Sequence, residues 1–371
     1  MKQRVALFAA LSALGAALSA GGSPAVAQTV PGQTVPGQTV PGRTLPGRTL
    51  PGAAPLAAVR LVVPPPDPAG TLTFTAENDL FGGYTDRYYS SGVLLSWRSP
   101  SADLPAPFAW LDDRLTWLVG PGALRWGFSL GQNIYTPEEK YSYVPDPRDR
   151  PYAAHLYGAL SLGRSTETVQ TLFEIQAGVV GPSALGEEVQ NNYHRLIGVR
   201  RLNGWAYQLK DEPTLNLLAE RRWRVPLGRL AGFDTELMPS ATAALGNVAI
   251  YAGGGVMVRL GQGLEADWGS PRIRPGLAGS SFFQPRQDFG WYVFAGVNGR
   301  AVGRDIFLDG NTFRSNTPSV SRRPFVGEAA TGAAVFWRGT RLTYTQVVRS
   351  EEFYGQRGTQ IFGSISLSFR F

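Results

Sequence analysis

The sequence predicts an all-β fold: a twelve-stranded antiparallel transmembrane β-barrel with a short helix in an extracellular loop. Three observations predict it. Many short segments alternate apolar and polar residues, and the polar face is as regular as the apolar one. The C-terminus is clearest: Ile365, Leu367, Phe369 and Phe371 alternate with Ser364, Ser366, Ser368 and Arg370. A soluble sandwich also alternates, but a lipid-facing apolar side paired with a polar lumen calls for this regularity on both faces. Second, the N-terminus reads as a secretory signal, and beyond it no run of about 18 apolar residues offers a transmembrane helix. Third, the 371-residue chain has no cysteine, while Gly (45 residues) and aromatics (11%) suit strands and turns.

Residues 1–27 form the expected signal peptide. Lys2 and Arg4 supply the charged end, VALFAALSALGAALSA the apolar segment, and AVA at 25–27 the cleavage site, leaving Gln28 as the new N-terminus. Residues 28–69 carry a five-residue Pro-Gly repeat and then PPPDP at 64–68. Pro and Gly at this density bury little and cannot sustain a ladder, so a flexible tail is expected, with a binding role as the alternative. Residues 70–371 form the barrel.

Candidate strands are 71–78, 90–98, 124–132, 153–163, 168–179, 213–223, 233–246, 248–260, 289–309, 325–337, 340–349 and 360–371. The first places Leu72, Phe74 and Ala76 on one face and Thr71, Thr73, Thr75 and Glu77 on the other. Splitting 289–309 near Gly299 would give thirteen, but a barrel with both ends in the periplasm needs an even number, so it is taken as one strand. Strand one then runs outward. Asn78 and Asp79 end it on the extracellular side, the second strand starts there at Ser90, and 180–212 is an extracellular loop. Within that loop SALGEEVQNNYHRLIG (183–198) has helical spacing: Ser183 can cap, Glu187 and Glu188 lie early, and Gly198 can end it. Leu185, Val189, Leu196 and Ile197 are expected to dock on the barrel. Gln190 and His194, four apart, share a face.

Composition narrows the chemistry. The formal charge is +7; the lysines are Lys2, Lys140 and Lys210, so 32 of the 35 cations are arginine. Arginine suits phosphate and carboxylate, and with no Lys/Arg-rich run a nucleic-acid partner is not expected. Thiol nucleophiles, Cys-type zinc and disulfides are excluded. Two histidines, His155 and His194, exclude a multi-His metal site.

Each rim residue alone has an ordinary reading: Asn-Asp as a turn, His194 as a surface side chain, Ser90 as a turn hydroxyl. Together they offer a carboxylate, an amide, a hydroxyl and an imidazole at one end of the barrel. Two hydrolytic schemes fit. Ser90 could be a nucleophile activated by His194, although no G-x-S-x-G elbow surrounds it. Alternatively Asp79, Asn78 and backbone oxygens hold Ca²⁺, which polarises an ester while His194 deprotonates water. Strand parity points Asn78 and Asp79 to opposite sides, so a bulge or frayed tip must bring both to one ion.

The segments ENDLFGGYTDRYYSSG, SLGQNIYTPE, DRPYAA, GVVGPSALGEEVQNNYHRLIG, GWAYQLKDEP, GNVAIYAGGG, RIRPGL, DIFLDGNTF and FGSISLSFRF closely resemble the outer-membrane lipid A 3'-O-deacylase family, the LpxR type, over about 71–371. The resemblance implies a twelve-stranded barrel and calcium-dependent release of the 3'-linked acyloxyacyl group from lipid A, by a mechanism like that of secreted phospholipase A2. It assigns Asn78, Asp79, His194 and Gln190 to the site. Ser90 stands where the family commonly has Thr, and Glu212 is a further candidate for calcium. Arg87, Arg148, Arg150 and Arg195 fall in predicted extracellular segments and suit the phosphates of lipid A entering from the outer leaflet. The expected protein is a monomeric outer-membrane enzyme with lipopolysaccharide as substrate and its site near the extracellular face. The competing reading is a non-catalytic barrel, a porin or structural protein.

Overall fold

The computed structural model describes residues 62–83, 87–102 and 104–371. The expected signal peptide and Pro-Gly repeats lie outside them. The last part of the expected tail, 62–69, is described and is held against the barrel: Asp67 is buried, and its carboxylate pairs with Arg125 (2.6 Å) and Arg370 (2.6 Å).

Among the described residues thirteen strands form one antiparallel sheet. They are β1 (Thr71–Asn78), β2 (Tyr88–Arg98), β3 (Ala123–Thr136), β4 (Ala153–Ser165), β5 (Val169–Val180), β6 (Glu212–Trp223), β7 (Val225–Leu230), β8 (Phe233–Gly246), β9 (Ala249–Gln262), β10 (Phe289–Asp305), β11 (Phe325–Trp337), β12 (Thr340–Arg349) and β13 (Gln360–Arg370). Twelve of them close the wall. β1 pairs with β13, and β6 pairs with the second half of β8, Asn216 opposite Gly246 through Arg222 opposite Ser240. The additional strand, β7, continues β6 beyond Arg224 and pairs with the first half of β8. The expected twelve-stranded barrel is therefore present. The long strand β10 is unbroken at Gly299, but 306–309, expected as its end, turns into one helical turn, α3 (Ile306–Asp309).

Alternation runs opposite to that of a soluble protein. In β1 Thr71, Thr73, Thr75 and Glu77 are buried while Leu72 and Phe74 are exposed. Apolar side chains outward and polar side chains inward are stable only where the outside medium is hydrocarbon and the inside is filled with polar partners. A helix that the alternation did not predict, α1 (Ala106–Val119), lies between β2 and β3 at the end where β1 starts and β13 stops.

The filling of the lumen comes largely from one segment. Between β9 and β10, residues 263–288 leave the end where β1 starts and β13 stops and turn into the barrel. Arg272 sits between Glu77 (3.2 Å) and Glu328 (2.6 Å), and the Ile273 backbone N–H also donates to Glu77 (3.1 Å). Lower down, Asp267 is clamped by Arg259 (2.5 Å) and Arg341 (2.8 Å) and receives the Tyr292 hydroxyl (3.0 Å). Buried charges are tolerable only when paired and hydrogen-bonded, and these are. The pairing continues upward: Arg349 joins Glu328 (3.0 Å) to Glu352 (3.4 Å), and Glu352 also takes Arg300 (3.0 Å) and Arg150 (3.2 Å). Burial pushes the Glu352 carboxyl up, but the Arg349, Arg150 and Arg300 guanidiniums outweigh it and hold it below the usual carboxylate range. The chain of ion pairs thus runs from the luminal segment to the loops at the far rim.

Candidate active site

The β1 tip frays where two donors are needed. Asn78 is still paired in the sheet, but its side-chain Oδ1 already accepts from the Leu80 backbone N–H (2.7 Å), capping a 3₁₀ turn over Asp79–Phe81. Alternation therefore ends at Asn78. Asp79 is fully buried, and its Oδ2 receives the Arg87 backbone N–H (2.5 Å).

Across the loop, β2 begins two residues earlier than predicted, at Tyr88, and it begins strained. Tyr88 has φ +67°, uncommon for a bulky residue. Immediately after, the register slips: Tyr89 opposes Tyr135, Ser91 opposes Ile134, and Ser90 is the extra residue between. A bulge of this kind re-aims one side chain. Tyr89 stays with the lumen, its hydroxyl on Glu77 (3.1 Å), whereas Ser90 reaches the Thr136 hydroxyl (2.6 Å). Thr136 lies on the same face of β3 as Gln132 and Ile134, two and four residues back. That is the outer face, because Gln132 donates to the Ala184 carbonyl (2.6 Å) and Ile134 packs with Ala184 and Trp205 of the loop between β5 and β6.

That loop carries the predicted helix, α2 (Gly186–Leu196). It lies on the outside of the wall: a Cβ on Gly186 would come within 2.4 Å of the Ala154 Cβ and 2.8 Å of the Trp205 ring, so only glycine lets the helix approach this closely. Ser183 does not cap it. Its N–H and hydroxyl are taken by Asp211 (2.8 and 2.9 Å), and the cap position is Leu185 in the left-handed conformation. The docking face also differs from the expectation. Leu185, Val189, Leu196 and Ile197 are exposed, and the polar Gln190, Asn191 and His194 are buried against the wall.

The His194 geometry is informative. Its Nδ1 is 2.9 Å from the Arg200 carbonyl oxygen, and its Nε2 is 3.0 Å from Gln190 Nε2. A carbonyl only accepts, so Nδ1 carries the hydrogen; Nε2 of the neutral ring then holds the lone pair, and the Gln190 amide donates to it. Asn191 fixes the return of the chain, accepting from the Leu202 N–H (2.8 Å) and donating to its carbonyl (3.3 Å).

One loop links these groups. Residues 137–152, between β3 and β4, carry Glu138, which pairs with Arg87, the residue whose N–H meets Asp79. The same loop carries Tyr141, whose ring lies under the Arg200 guanidinium (5.3 Å), the residue whose carbonyl holds His194. The structure thus brings Gln190 to His194 and puts Ser90 on the face that bears α2. Asp79 and His194 are tied to the same loop. Glu212 is engaged elsewhere. Its carboxylate accepts from the Thr312 N–H (2.8 Å), the Phe313 N–H (3.3 Å) and the Asn247 amide (3.1 Å), anchoring the loop between β10 and β11. Among the arginines expected to meet phosphate, Arg150 is buried on Glu352, Arg87 is paired with Glu138 and Arg148 with Asp146 (2.8 Å); Arg195 is exposed.

The donors near Asp79 suit a hard, oxygen-seeking cation in kind: one carboxylate, the Asn78 amide oxygen, whose second lone pair remains, and hydroxyls. Among the described residues no group of three His, Asp or Glu side chains gathers, so such a site would draw on neutral oxygens. Sequence reasoning missed Thr136, Glu138 and the Arg200 carbonyl. The first two lie within the QNIYTPE motif (132–138), but only the bulge at Ser90 reveals what Thr136 meets.

Comparison with known proteins identifies the family. Residues 17–371 match the model of the family described as outer membrane protein LpxR. The chain belongs to that family. LpxR from Salmonella typhimurium is similar in fold, with a TM-score of 0.67 at 23% identity over 81% of this chain and 100% of that one. A bacterial polysaccharide outer membrane secretin (TM-score 0.31, 10% identity, 82% of this chain and 99% of that one) is far more distant. So is the transport unit of the autotransporter AIDA-I from Escherichia coli (0.32, 11%, 86% and 93%). None of the curated sequences compared is similar. Membership of the LpxR family supports an outer-membrane lipid A deacylase.

Proposed function

We propose that the protein hydrolyses the 3'-linked acyloxyacyl ester of lipid A in the outer leaflet, with water as nucleophile and His194 as general base. The observation that carries this reading is the Arg200 carbonyl on His194 Nδ1 (2.9 Å), which leaves Nε2 as the proton acceptor. Gln190 holds that nitrogen until a water takes its place. Nε2 removes a proton as the water oxygen attacks the ester carbonyl carbon; the protonated ring then returns the proton to the leaving sugar oxygen as the acyl C–O bond breaks. The products are a free acyloxyacyl acid and a 3'-hydroxyl.

Calcium is the proposed cofactor. Asp79, with Asn78 and the Ser90 hydroxyl, would hold it, and it would supply positive charge for the oxyanion. The hydroxyl of Ser90 meets Thr136 rather than an imidazole, which favours its use as an oxygen ligand or positioning group over nucleophilic attack. The Asp79 and Asn78 turn gives two oxygen donors from adjacent residues without a second strand.

The competing reading, a porin, is disfavoured by the segment 263–288, which fills the lumen with paired side chains. The protein is proposed to act as a monomer, with its site open sideways near the extracellular face. Mass spectrometry of lipid A from cells with and without the protein tests the reading. Loss of one acyloxyacyl group only when the protein is present is expected. Identical lipid A in both, from cells in which the barrel is folded, rules it out.

A further inference from the structure

Helix α2 has three faces, and each meets a different surrounding. Gly186, Gln190 and His194 are buried against the outer side of the wall. Glu187, Glu188, Asn192 and Arg195 form a charged face with Arg201, and Arg201 pairs with Glu187 (2.8 Å). Between them, Leu185, Val189, Tyr193 and Leu196 follow one another at spacings of four, four and three. That is a continuous helical stripe, and it is bare: Leu196 is 83% exposed and Leu185 49%, against 2% for His194. Ile197 extends it.

A helix in water turns such a stripe inward and its amides outward; this one does the reverse. The reason follows from where it sits. Its Gly186 closes on the outward-facing Ala154, and Ala184 and Trp205 of the same loop pack with Ile134, near the far ends of β4 and β3. Lower on the same face of the same wall, Phe128, Leu130 and Ile175 are exposed toward lipid. The stripe therefore continues the lipid-facing belt toward the far rim, and it includes exposed Tyr193, a residue type favoured where hydrocarbon borders the headgroups.

We propose that α2 is an interfacial helix whose Leu185, Val189, Tyr193, Leu196 and Ile197 stripe is seated among the acyl chains of the outer leaflet, while its charged face meets water. The wall, the hydrocarbon and the water then each meet the face that suits them. This goes beyond the catalytic reading and does not depend on it. The two also meet: the stripe lies directly beside the Gln190 and His194 edge, so an ester at the headgroup boundary reaches the imidazole without its chains leaving the bilayer.

The chain has no cysteine, so single-cysteine variants label cleanly. Leu196→Cys, Val189→Cys and Asn192→Cys, each carrying a nitroxide on the full mature chain folded into vesicles of phosphatidylcholine and phosphatidylglycerol, are compared by paramagnetic resonance. Collision with oxygen, which partitions into lipid, should exceed collision with a water-soluble nickel chelate at 196 and 189, and the order should reverse at 192. Nickel-dominated collision at 196 and 189 would overturn the proposal. So would labels there shielded from both reagents, which would mean that protein, such as a second copy, covers the stripe. The measurement reads neither acyl release nor calcium, so its outcome is separate from that of the hydrolytic reading.

Discussion

At the residue scale, Ser90 separates the two hydrolytic schemes. Its hydroxyl is buried on Thr136, on a bulge that turns it away from Tyr89. If it supplies an oxygen to the site, Ser90→Ala lowers kcat/KM by less than about a hundredfold and Ser90→Thr retains activity; a nucleophile would instead cost about 10³-fold or more. Steady-state release of acyl groups from micellar lipid A distinguishes them. Much of this was legible in the chain. Asn78, Asp79, Gln190 and His194 stand at predictable ends and spacings, because strand ends and helical turns have fixed periods. The Thr136 partner was not legible, because a one-residue slip at Ser90 decides the face and no periodicity records a single bulge. The position of Glu212 was legible, but the use of its carboxylate by Thr312 and Phe313, about a hundred residues on, was not.

At the element scale, α2 existed in the sequence but its orientation did not. Apolar spacing shows that a stripe exists; whether it turns toward protein or away depends on the surrounding medium, here hydrocarbon. The luminal segment 263–288 was missed for a related reason: it has neither alternation nor helical spacing, and Arg, Gly and Pro dominate it. Its length was the available signal, since long connections without regular structure usually do something. Its weight is testable. Arg272→Met takes the cation from buried Glu77 and leaves Glu328 with Arg349 alone; it is expected to destabilise the barrel by about 3–5 kcal/mol, read as a lower unfolding temperature in detergent. A second test concerns the rim. The carboxyl of Glu352 is held below its ordinary value by Arg349, Arg150 and Arg300, so its protonation opposes folding. Its contribution is complete above the ordinary carboxylate range, about pH 4.3, and is lost as pH falls through the lowered folded value. Hydrogen-exchange protection in 137–152, the loop that Arg150 anchors, should therefore fall, relative to the intrinsic amide rate at each pH, on acidification below about pH 4. In Glu352→Gln the protection should already be low at neutral pH and change less with acid.

At the scale of the whole molecule, twelve strands close the wall, the number that alternation suggested and parity chose over thirteen, and β7 is an extension rather than a crossing. The regular polar face of every strand foretold a polar interior but not what fills it: the same alternation serves an open pore and a packed lumen. Here the interior is filled by ion pairs, with clusters on Asp67 and Asp267 and a continuous chain from Arg272 through Glu328 and Arg349 to Glu352. In planar bilayers the intact protein is expected to lack porin-like conductance steps, and a deletion shortening 263–288 is expected to produce them. The central claim is that a barrel of this kind cleaves an acyl ester with His194 as base and calcium as electrophile. Its most direct measurement is acyl release from purified lipid A by the full mature protein with calcium, with chelator, and as His194→Ala. Release that needs calcium and falls about 10³-fold in His194→Ala is the predicted result; undiminished release by His194→Ala, or indifference to the chelator, contradicts it.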